Sequence, residues 1–488
     1  GPKRPASSIR GSYGLMSRGN IKGSFSWGMT PCHSAPNASN VRRAMANLDW
    51  LVVADWVETE SATFWKAPDM NAADIDTTVY FLPAALIYEK PGTILNSGRW
   101  LQWRYQAVEP WEDAKPDYEI CDVLWKAIVD LYKKEDGVAP EPVVNTKWDY
   151  YVDGKIDPRP VAWALNGYNY AEGGFENGAP DLLSTFANLK ADGSTACGMW
   201  IYTGFWANND APLDPAEQAI GSRVADDPTG LGLHPKWSFA WPLNRRIIYN
   251  RASADLEGKP WNPNRVLVEW TGEKWVQNDV GDFVAVSNGT PVPPNNKAFM
   301  MLWEQNARLE SYGMGDGPLP EHYEPFESPA DNKLNGRQNS PCVRFAEFES
   351  VKRGDRSQYP IAVTTYSVTE HWQTGGQTRT CPALNEAMPE QFVEMSVELA
   401  AEKGIENGER VRVFNNRGSV EVMALVTPRF KPFKVNGETV HQVGMTHHFG
   451  WAGDFATGDI VNDLPPNVGD PNCWVPEYKA FLVDIEKA

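Results

Sequence analysis

The first third of the chain alternates short apolar runs with segments of helical period. An apolar run at 50–54 follows a strand-like stretch at 23–28, and Ser39 is the predicted cap of a helix between them. A further strand is predicted at 77–83. Apolar strands separated by helices are typical of parallel sheets covered on both faces. The pattern therefore predicts a doubly wound α/β domain.

The middle of the chain has a weaker period. An amphipathic helix follows Pro116 and ends by Gly137, and its pattern indicates packing only. Irregular insertions are predicted around 140–180 and 203–300, where Pro, Gly and aromatic residues recur without a period. The other predicted elements are a helix at 182–189, a buried strand at 196–202 that resumes the sheet, and a hairpin over 266–276.

The last part of the chain changes composition. Pro, Gly and Glu are frequent where a linker is predicted, at 313–357. From residue 358 onward short β-branched runs dominate, with one helix at 397–403 between a Ser396 cap and Gly404. This alternation predicts a small β-barrel. The predicted domains are therefore an α/β domain at 1–312 and a barrel at 358–488.

Composition and charge exclude several classes of partner. The net charge of -18 repels phosphate backbones, so nucleic acid is not an expected partner. No apolar run approaches the roughly 20 residues that span a bilayer. The six cysteines form no CxxC pair, which disfavours structural zinc or an iron–sulfur cluster held within this chain. Scattered cysteines leave the redox compartment open.

A polar loop at 366–390 is the strongest candidate site. Gly375 and Gly376 permit a tight turn, and the residues around it are dense in hydrogen-bonding groups: Thr369, Gln373, Thr374, Gln377, Thr378 and Arg379. Such a loop fits a large polar ligand, and an ordinary solvated loop is the alternative. Glu370 and His371 also allow an acid–base pair, although a positioning role is favoured.

A second candidate lies where the predicted parallel strands end. Ligands of such sheets bind beyond the carboxyl ends of the strands, which points to 28–30 and 55–59. Asp55 alternatively caps the next turn. His441, His447 and His448 lack the spacing of a metal site. The stretch 237–251, with Arg245, Arg246 and several aromatic residues, is either cation–π surface packing or a face that docks another subunit.

Several stretches resemble one enzyme family. TEHW, CPALNEAMPEQFVEMS and AAEKGIENGERVRVFNNRGSVEVMALVTPR are similar to the C-terminal cofactor-binding domain of bis-molybdopterin guanine dinucleotide oxidoreductases, the dimethyl sulfoxide reductase superfamily. The final stretch, from GMTHHFGWAGDF onward, most resembles the large subunit of respiratory or periplasmic formate dehydrogenase. MTPCHSAPN, EKPGTILNSGRWLQWR, WSFAWPLNRRIIYNRAS and DGPLPEHYEP extend the resemblance over most of the chain.

The resemblance implies a fold, cofactors and an activity. The barrel should have six strands, and the cofactors should be two molybdopterin guanine dinucleotides, tungsten or molybdenum, and a [4Fe-4S] cluster. The cluster ligands and a selenocysteine or cysteine metal ligand precede the matched region in the family, so this chain is expected to be the C-terminal half of a catalytic subunit that is active only with its N-terminal half.

The implied reaction is periplasmic oxidation of formate to carbon dioxide. An iron–sulfur subunit is the implied electron acceptor, and cytochrome c is a further candidate. The alternatives are a polysulfide, thiosulfate or nitrate reductase with the same cofactor, and a non-catalytic nucleotide-binding or docking module.

The resemblance also assigns cofactor-binding residues. No catalytic residue and no metal ligand is expected in this segment. The strand after Asp76 reads TTVYFLP instead of the family's commoner VVLP, which weakens the match of Asp76. The loop at 89–99 is similar to one that closes over the cofactor edge, and a plain surface loop is the alternative. The expected cofactor contacts are Gly28, Met29, Thr30, Asp55, Thr59, Asp76, Thr369, Glu370, His371, Trp372, Gln373, His447, Asn462 and Lys479.

Overall fold

The computed structural model describes residues 9–95, 100–135 and 137–170, separate short stretches between 181 and 319, and residues 321–345, 352–453 and 456–488. The chain forms two compact units, one of residues 1–83 with 308–488 and the other of residues 84–307. The first unit joins the parallel sheet to the barrel.

A three-stranded parallel sheet organises the start of the first unit. Its strands Gly23–Trp27, Trp50–Asp55 and Thr78–Pro83 lie side by side in chain order, as their apolar pattern predicts. Leu51 and Val53 are fully buried against the helical layer. The helices and 3-10 turns of this region are Ile9–Ser17, Pro31–Ser34, Ala38–Met45, Phe64–Lys66 and Ala72–Asp74.

The cap of the helix Ala38–Met45 differs from the prediction. Asn37, with φ 50°, precedes the helix, so Ser39 lies within the first turn. The Ser39 hydroxyl donates a hydrogen bond to Asn37 Oδ1 instead of capping a backbone N–H. Asn is one of the few residues that adopt the left-handed conformation readily, which explains the earlier start.

The C-terminal part of this unit is a closed six-stranded barrel, which confirms the predicted α/β class with a terminal six-stranded barrel. Valine is the commonest residue in its core, and the core residues recur at alternate positions along the strands. The helix Val397–Lys403 is capped as predicted, since the Ser396 hydroxyl accepts from Leu399 N and Gly404 has φ 64°. The strands, in their order around the barrel, are Ile361–Tyr366, Gln442–Thr446, Phe392–Ser396, Ser419–Thr427, Arg410–Phe414 and Phe481–Lys487.

Shorter elements surround the barrel. They are the strands Arg344–Phe345, Phe433–Val435, Glu438–Val440 and Val468–Gly469, the helix Pro382–Ala387, and the 3-10 turns Thr378–Thr380 and Val461–Asp463.

Hydrogen bonds of Glu327 hold the predicted linker to the barrel. Glu327 is buried, and its carboxylate accepts hydrogen bonds from the Arg417 guanidinium and from the backbone N–H groups of Gly354 and Leu482. Residues 321–343 of the linker have the irregular backbone that the composition predicts, but the contacts of Glu327 hold this part of the segment against the barrel.

The second unit confirms the helix after Pro116, at Asp117–Glu135, and the predicted hairpin, formed by Val268–Trp270 and Trp275–Gln277. Its other elements are the helices Glu141–Val144 and Pro158–Asn166, the 3-10 turns Phe186–Asn188 and Trp200–Tyr202, and the strands Gly92–Leu95, Trp100–Arg104, Tyr151–Val152, Lys155–Ile156, Tyr168–Asn169, Thr195–Ala196, Ser238–Phe239, Val284–Ala285 and Pro291–Val292.

The predictions between 140 and 202 were partly wrong. The helix at 182–189 is reduced to a 3-10 turn, Phe186–Asn188, and of the strand predicted at 196–202 only Ala196 is extended, in the two-residue strand Thr195–Ala196. That pair joins Tyr168–Asn169 and does not resume the parallel sheet. Gly198 N donates to the carbonyl of Ala164, which ties the backbone to the helix Pro158–Asn166.

The helix Pro158–Asn166 lies inside the segment 140–180, which was predicted to be irregular. Asp157 caps it by accepting from Arg159 N, and Pro158 begins it, which is a start signal that the sequence already contained.

Two predicted loops fall largely outside the described residues. The loop at 89–99 contains the strand Gly92–Leu95, whereas residues 96–99, with Asn96 and Arg99, lie outside them. Of the stretch 237–251 only Ser238–Phe239 is described, so Arg245, Arg246 and Arg251 also lie outside the described part of the chain.

Candidate functional site

The polar loop leaves the barrel after strand Ile361–Tyr366 and turns at Gly375. This residue has φ 80°, and a Cβ placed on it would lie 2.0 Å from the carbonyl oxygen of His448. Only glycine therefore fits here, because both the backbone angle and the close approach exclude a side chain. The turn brings the loop down onto the segment that contains His447 and His448.

A first cleft, of about 220 Å³, lies between the polar loop and the carboxyl ends of the parallel strands. The structure thus brings together two stretches that the sequence analysis singled out separately. The predicted residues that line it are Gly28, Met29, Thr30, Asp55, Thr59, Trp372 and Gln373.

A second cleft, of about 360 Å³, lies on the other side of the same loop. Trp372 and Gln373 line both clefts, so the loop forms a shared wall. Gln373 has φ 51°, an unusual value for a residue with a side chain. The predicted residues that line the second cleft are Thr369, Glu370, His371, Trp372, Gln373 and His447.

His371 holds the loop through both of its ring nitrogens. Its Nε2 donates to the Met388 carbonyl at 2.9 Å, and Nδ1 lies 3.1 Å from the Thr378 hydroxyl. The considered acid–base pair between Glu370 and His371 is therefore not formed. His371 positions the polar loop at the wall of the second cleft.

His448 is also a structural residue. Its Nδ1 donates to the Gln373 carbonyl at 2.5 Å, and its Nε2 accepts from Val368 N at 3.0 Å. Burial, together with the neighbouring His447, lowers the pKa of His448 from 6.5 to about 4. The ring is thus neutral at pH 7 and connects Val368 to Gln373 within the first part of the loop.

His447 keeps one nitrogen available to a ligand. Its Nδ1 donates to the Tyr366 carbonyl at 3.2 Å, and among the described residues Nε2 has no hydrogen-bond partner. Burial lowers the pKa of His447, so the neutral ring presents Nε2 as an acceptor. Of the predicted histidines it is the one best placed to contact a ligand in the second cleft.

A third cleft, of about 470 Å³, contains charged residues that the sequence analysis did not single out as a group. Glu60 and Arg379 line it, both almost completely buried, with Arg379 Nη2 2.6 Å from Glu60 Oε1. Arg379 also donates to the carbonyls of Gly450 and Ala456. On the other side of Glu60, His33 Nδ1 lies 3.4 Å from Oε2.

The network ends at the second cleft, because His33 Nε2 donates to the His447 carbonyl at 2.9 Å. Burial by itself raises the pKa of Glu60, but His33 and Arg379 outweigh it and lower the pKa to about 2. Glu60 is therefore a buried carboxylate that connects the sheet region to the barrel. Sequence patterns do not reveal such pairs, since the partners are far apart in the chain.

Thr59 provides a test of whether a polar ligand fits. The residue is 5% exposed, and its hydroxyl has no hydrogen-bond partner among the described residues, yet it lines the first and third clefts. Buried hydroxyls are normally paired, so the site lacks a group that would satisfy Thr59. A nucleotide, with several donors and acceptors, fits this requirement.

Four predicted residues have other contacts or positions. Asp55 Oδ1 accepts from Trp56 N, and Asp55 also lines the first cleft. Asn462 donates to the His33 carbonyl, and Lys479 donates to the Thr365 carbonyl and lines a separate cleft. Asp76 precedes the strand Thr78–Pro83 and so lies at the amino edge of the sheet, opposite the first cleft.

The described residues give no sign of a metal site made by this chain. No three His, Cys, Asp or Glu side chains among them converge as metal ligands would. In the same part of the chain, none of the helices has the length and apolar character needed to cross a bilayer.

Comparison with known proteins gives two family matches. Residues 4–127 match the molybdopterin oxidoreductase family, and residues 361–482 match the molydopterin dinucleotide binding domain. The first match includes the sheet region, and the second includes most of the barrel and the polar loop. Both walls of the first cleft therefore lie in matched regions.

Three relatives are similar over almost the whole chain. Formate dehydrogenase subunit alpha of Megalodesulfovibrio gigas is 42% identical over 97% of this chain and 47% of its own length. The nitrate-inducible formate dehydrogenase major subunit of Escherichia coli strain K12 is 41% identical over 98% and 47%. Formate dehydrogenase 2 subunit alpha (cytochrome c-553) of Nitratidesulfovibrio vulgaris is 41% identical over 97% and 46%. The chain thus spans about half the length of these relatives.

Proposed function

Because the chain carries a molybdopterin oxidoreductase region and a molydopterin dinucleotide binding domain, we propose that it forms the cofactor-binding walls of a formate dehydrogenase catalytic subunit. The observation that carries the proposal is the 41–42% identity to formate dehydrogenase subunits over 97–98% of the chain. The clefts on either side of the polar loop support it, because they lie in the two matched regions.

Two dinucleotides would occupy the site, one on each side of the polar loop. Thr59, Asp55 and the turn at 28–30 would hold one nucleotide, and Thr369 with His447 Nε2 would contact the other. His371, His448 and Gly375 would fix the loop between them without reacting. In this proposal the bound pterins carry the molybdenum or tungsten that performs the redox chemistry.

The proposed net reaction is the conversion of formate to carbon dioxide, one proton and two electrons. The electrons would leave through a [4Fe-4S] cluster to an iron–sulfur partner subunit or a cytochrome c. The metal and cluster ligands, with selenocysteine or cysteine at the metal, would come from the rest of the subunit, since the relatives are about twice as long as the matched chain. We also propose a periplasmic location, as the type of formate dehydrogenase resembled implies.

The test is to produce the complete subunit from its full reading frame and to measure which substrate it uses. Formate should reduce a viologen dye, whereas nitrate, thiosulfate and polysulfide should not reoxidise the reduced dye. Acid treatment should release two guanine nucleotides per molybdenum or tungsten atom. Turnover with nitrate or a sulfur oxyanion instead of formate would contradict the proposal, as would the absence of any released nucleotide.

A further inference from the structure

The parallel sheet of the first unit has two chemically different faces. Side chains on paired parallel strands share a face when their residues are in register, and they alternate along each strand. Ser26, Val53 and Phe81 are in register and belong to the face that packs on the helices. The neighbouring row, on the opposite face, places Phe25 next to Val52 and Val52 next to Tyr80.

This opposite face is apolar and exposed. Phe25 is 51% exposed and Tyr80 is 54% exposed, whereas Leu51 and Val53 on the covered face are 0% exposed. Trp50, also on the exposed face, packs edge-on against Phe25 with ring centroids 5.4 Å apart. We call this surface the outer face and define it by its residues, Phe25, Trp50, Val52 and Tyr80.

The indole of Trp50 extends the outer face across the first strand. A Cβ built on Gly23 would lie 1.9 Å from the Trp50 ring, so the ring covers the backbone of that strand where any other residue would displace it. Phe25 and Trp50 therefore form an aromatic pair, and Val52 continues the apolar row from Phe25 to Tyr80. Polar side chains do not interrupt the central row from Phe25 to Tyr80.

An open face of this kind is unusual for a parallel sheet. Such sheets occur almost only with both faces covered, and contiguous exposed apolar patches mark sites of protein contact. Aromatic residues are also enriched at the buried centres of protein interfaces. The outer face therefore has the character of a contact surface.

We propose that the outer face docks the part of the same catalytic subunit that lies outside this chain. The occupant would present an apolar face, such as a layer of amphipathic helices, and complete the covered α/β layer. Its length is available, because the relatives match 97–98% of this chain but extend over about twice its length. The inference rests on the proposed function, in which this chain supplies only part of the subunit.

Peptide-resolved alkylation of the complete subunit with N-ethylmaleimide tests the proposal. Tyr80→Cys places a thiol on the outer face, and Phe433→Cys is a matched control, since Phe433 is 52% exposed on a separate two-stranded ribbon. If the outer face is docked, the thiol at position 80 should react at least about tenfold more slowly than the thiol at position 433, because interfaces exclude water. Equal rates would overturn the proposal.

Hydroxyl-radical footprinting of the unsubstituted subunit covers the case in which a variant fails to fold. Phe25 and Tyr80 should be protected, whereas Phe433 should be oxidised at the rate of an exposed ring. Protection that appears only at high protein concentration would identify a second copy as the occupant. Protection that appears only after a separate partner subunit is added would identify that subunit, and either result would overturn the proposal.

The docking and the proposed function can fail separately. A subunit that reduces viologen with formate but leaves position 80 fully reactive would refute the docking alone. A subunit that protects position 80 but fails to use formate would refute the function alone.

Discussion

Arg379 Nη2 lies 2.6 Å from Glu60 Oε1, although the two residues are 319 positions apart in the chain. Both side chains are at most 1% exposed. Arg379 belongs to the polar loop at the barrel, and Glu60 follows the second strand of the parallel sheet. This ion pair therefore fixes the two walls of the site to each other within the first unit.

Glu60→Gln is expected to destabilise the protein strongly. Removing the carboxylate charge leaves the buried Arg379 without a counter-charge, which typically costs about 3–5 kcal/mol. The measurement is the free energy of unfolding from urea titration. Glu390→Gln is the control, because the Arg410–Glu390 pair is about half exposed and should contribute little. Equal effects of the two substitutions would show that the buried pair has no special role.

The stability should fall in two steps as the pH is lowered. The pKa of His448 is about 4 in the folded protein and 6.5 ordinarily, so the unfolded chain binds the proton first and stability declines from pH 6.5 to about 4. Glu60, with its pKa lowered from 4.5 to about 2, contributes its full stabilisation above pH 4.5. Below that pH the unfolded chain binds the proton first, so the contribution is lost between pH 4.5 and 2.

Urea midpoints measured from pH 7 to pH 3 check these windows. His448→Gln should reduce the slope between pH 6.5 and 4, because the amide retains a donor and an acceptor but does not titrate. Glu60→Gln should reduce the slope below pH 4.5 instead. If the urea midpoint depended on pH equally in both variants and in the unsubstituted protein, groups other than His448 and Glu60 would cause the pH dependence of the stability.

Gly375→Ala should disrupt the conformation of the polar loop and destabilise the protein. The residue has φ 80°, and the added methyl group would meet the His448 carbonyl at 2.0 Å. Gly404→Ala is the matched control, since Gly404 has φ 64° but no atom within 4 Å of the added Cβ, and should cost about 1–2 kcal/mol. Thermal unfolding should show the larger loss for Gly375→Ala, accompanied by reduced nucleotide content. If Gly375→Ala lost no more thermal stability than Gly404→Ala, the backbone at Gly375 would be able to move away from the His448 carbonyl at little cost.

Thr59→Val should weaken nucleotide binding without lowering the stability of the cofactor-free protein. The Thr59 hydroxyl has no partner in the described part of the chain, so its removal should leave the stability of the cofactor-free protein unchanged or slightly higher. The content of released guanine nucleotide should nevertheless fall, because a ligand contact is lost.

Thr63→Val is the control for Thr59→Val, because it should lower the stability of the cofactor-free protein. The Thr63 hydroxyl donates to the Thr59 carbonyl and accepts from Trp451 Nε1, so this substitution should cost about 1–2 kcal/mol in the cofactor-free protein. If Thr59→Val destabilised the cofactor-free protein as much as Thr63→Val, the hydroxyl would have an unrecognised structural partner.

Local patterns were enough for elements whose signals lie close together in the sequence. The apolar run at 50–54 and the Ser396 and Gly404 caps each depend on a few neighbouring residues, and the structure confirms them. The two stretches that line the first cleft were also found, because turns after parallel strands and dense polar loops have recognisable compositions.

Contacts between distant residues could not be predicted in this way. Glu60 looks like an ordinary acidic residue until folding places His33 on one side and Arg379 on the other. His371 and His448 look like candidate ligands because a sequence does not show that backbone groups and the Thr378 hydroxyl already occupy their ring nitrogens. The strand predicted at 196–202 was also wrong, and a contact between distant residues lies there too, since Gly198 N donates to the carbonyl of Ala164.

The buried carboxylate of Glu327 changes how the segment from 321 to 345 should behave toward proteases. Its composition suggests an easily cut connection, and Lys333 and Arg337 offer exposed sites for trypsin. Cleavage, however, requires several residues to leave the surface and enter the protease in extended form. Glu327 holds this segment to Arg417 and to the N–H of Leu482 on a barrel strand. Trypsin should therefore cut here only as fast as the barrel opens, so this connection reports on the unfolding of the domain beside it.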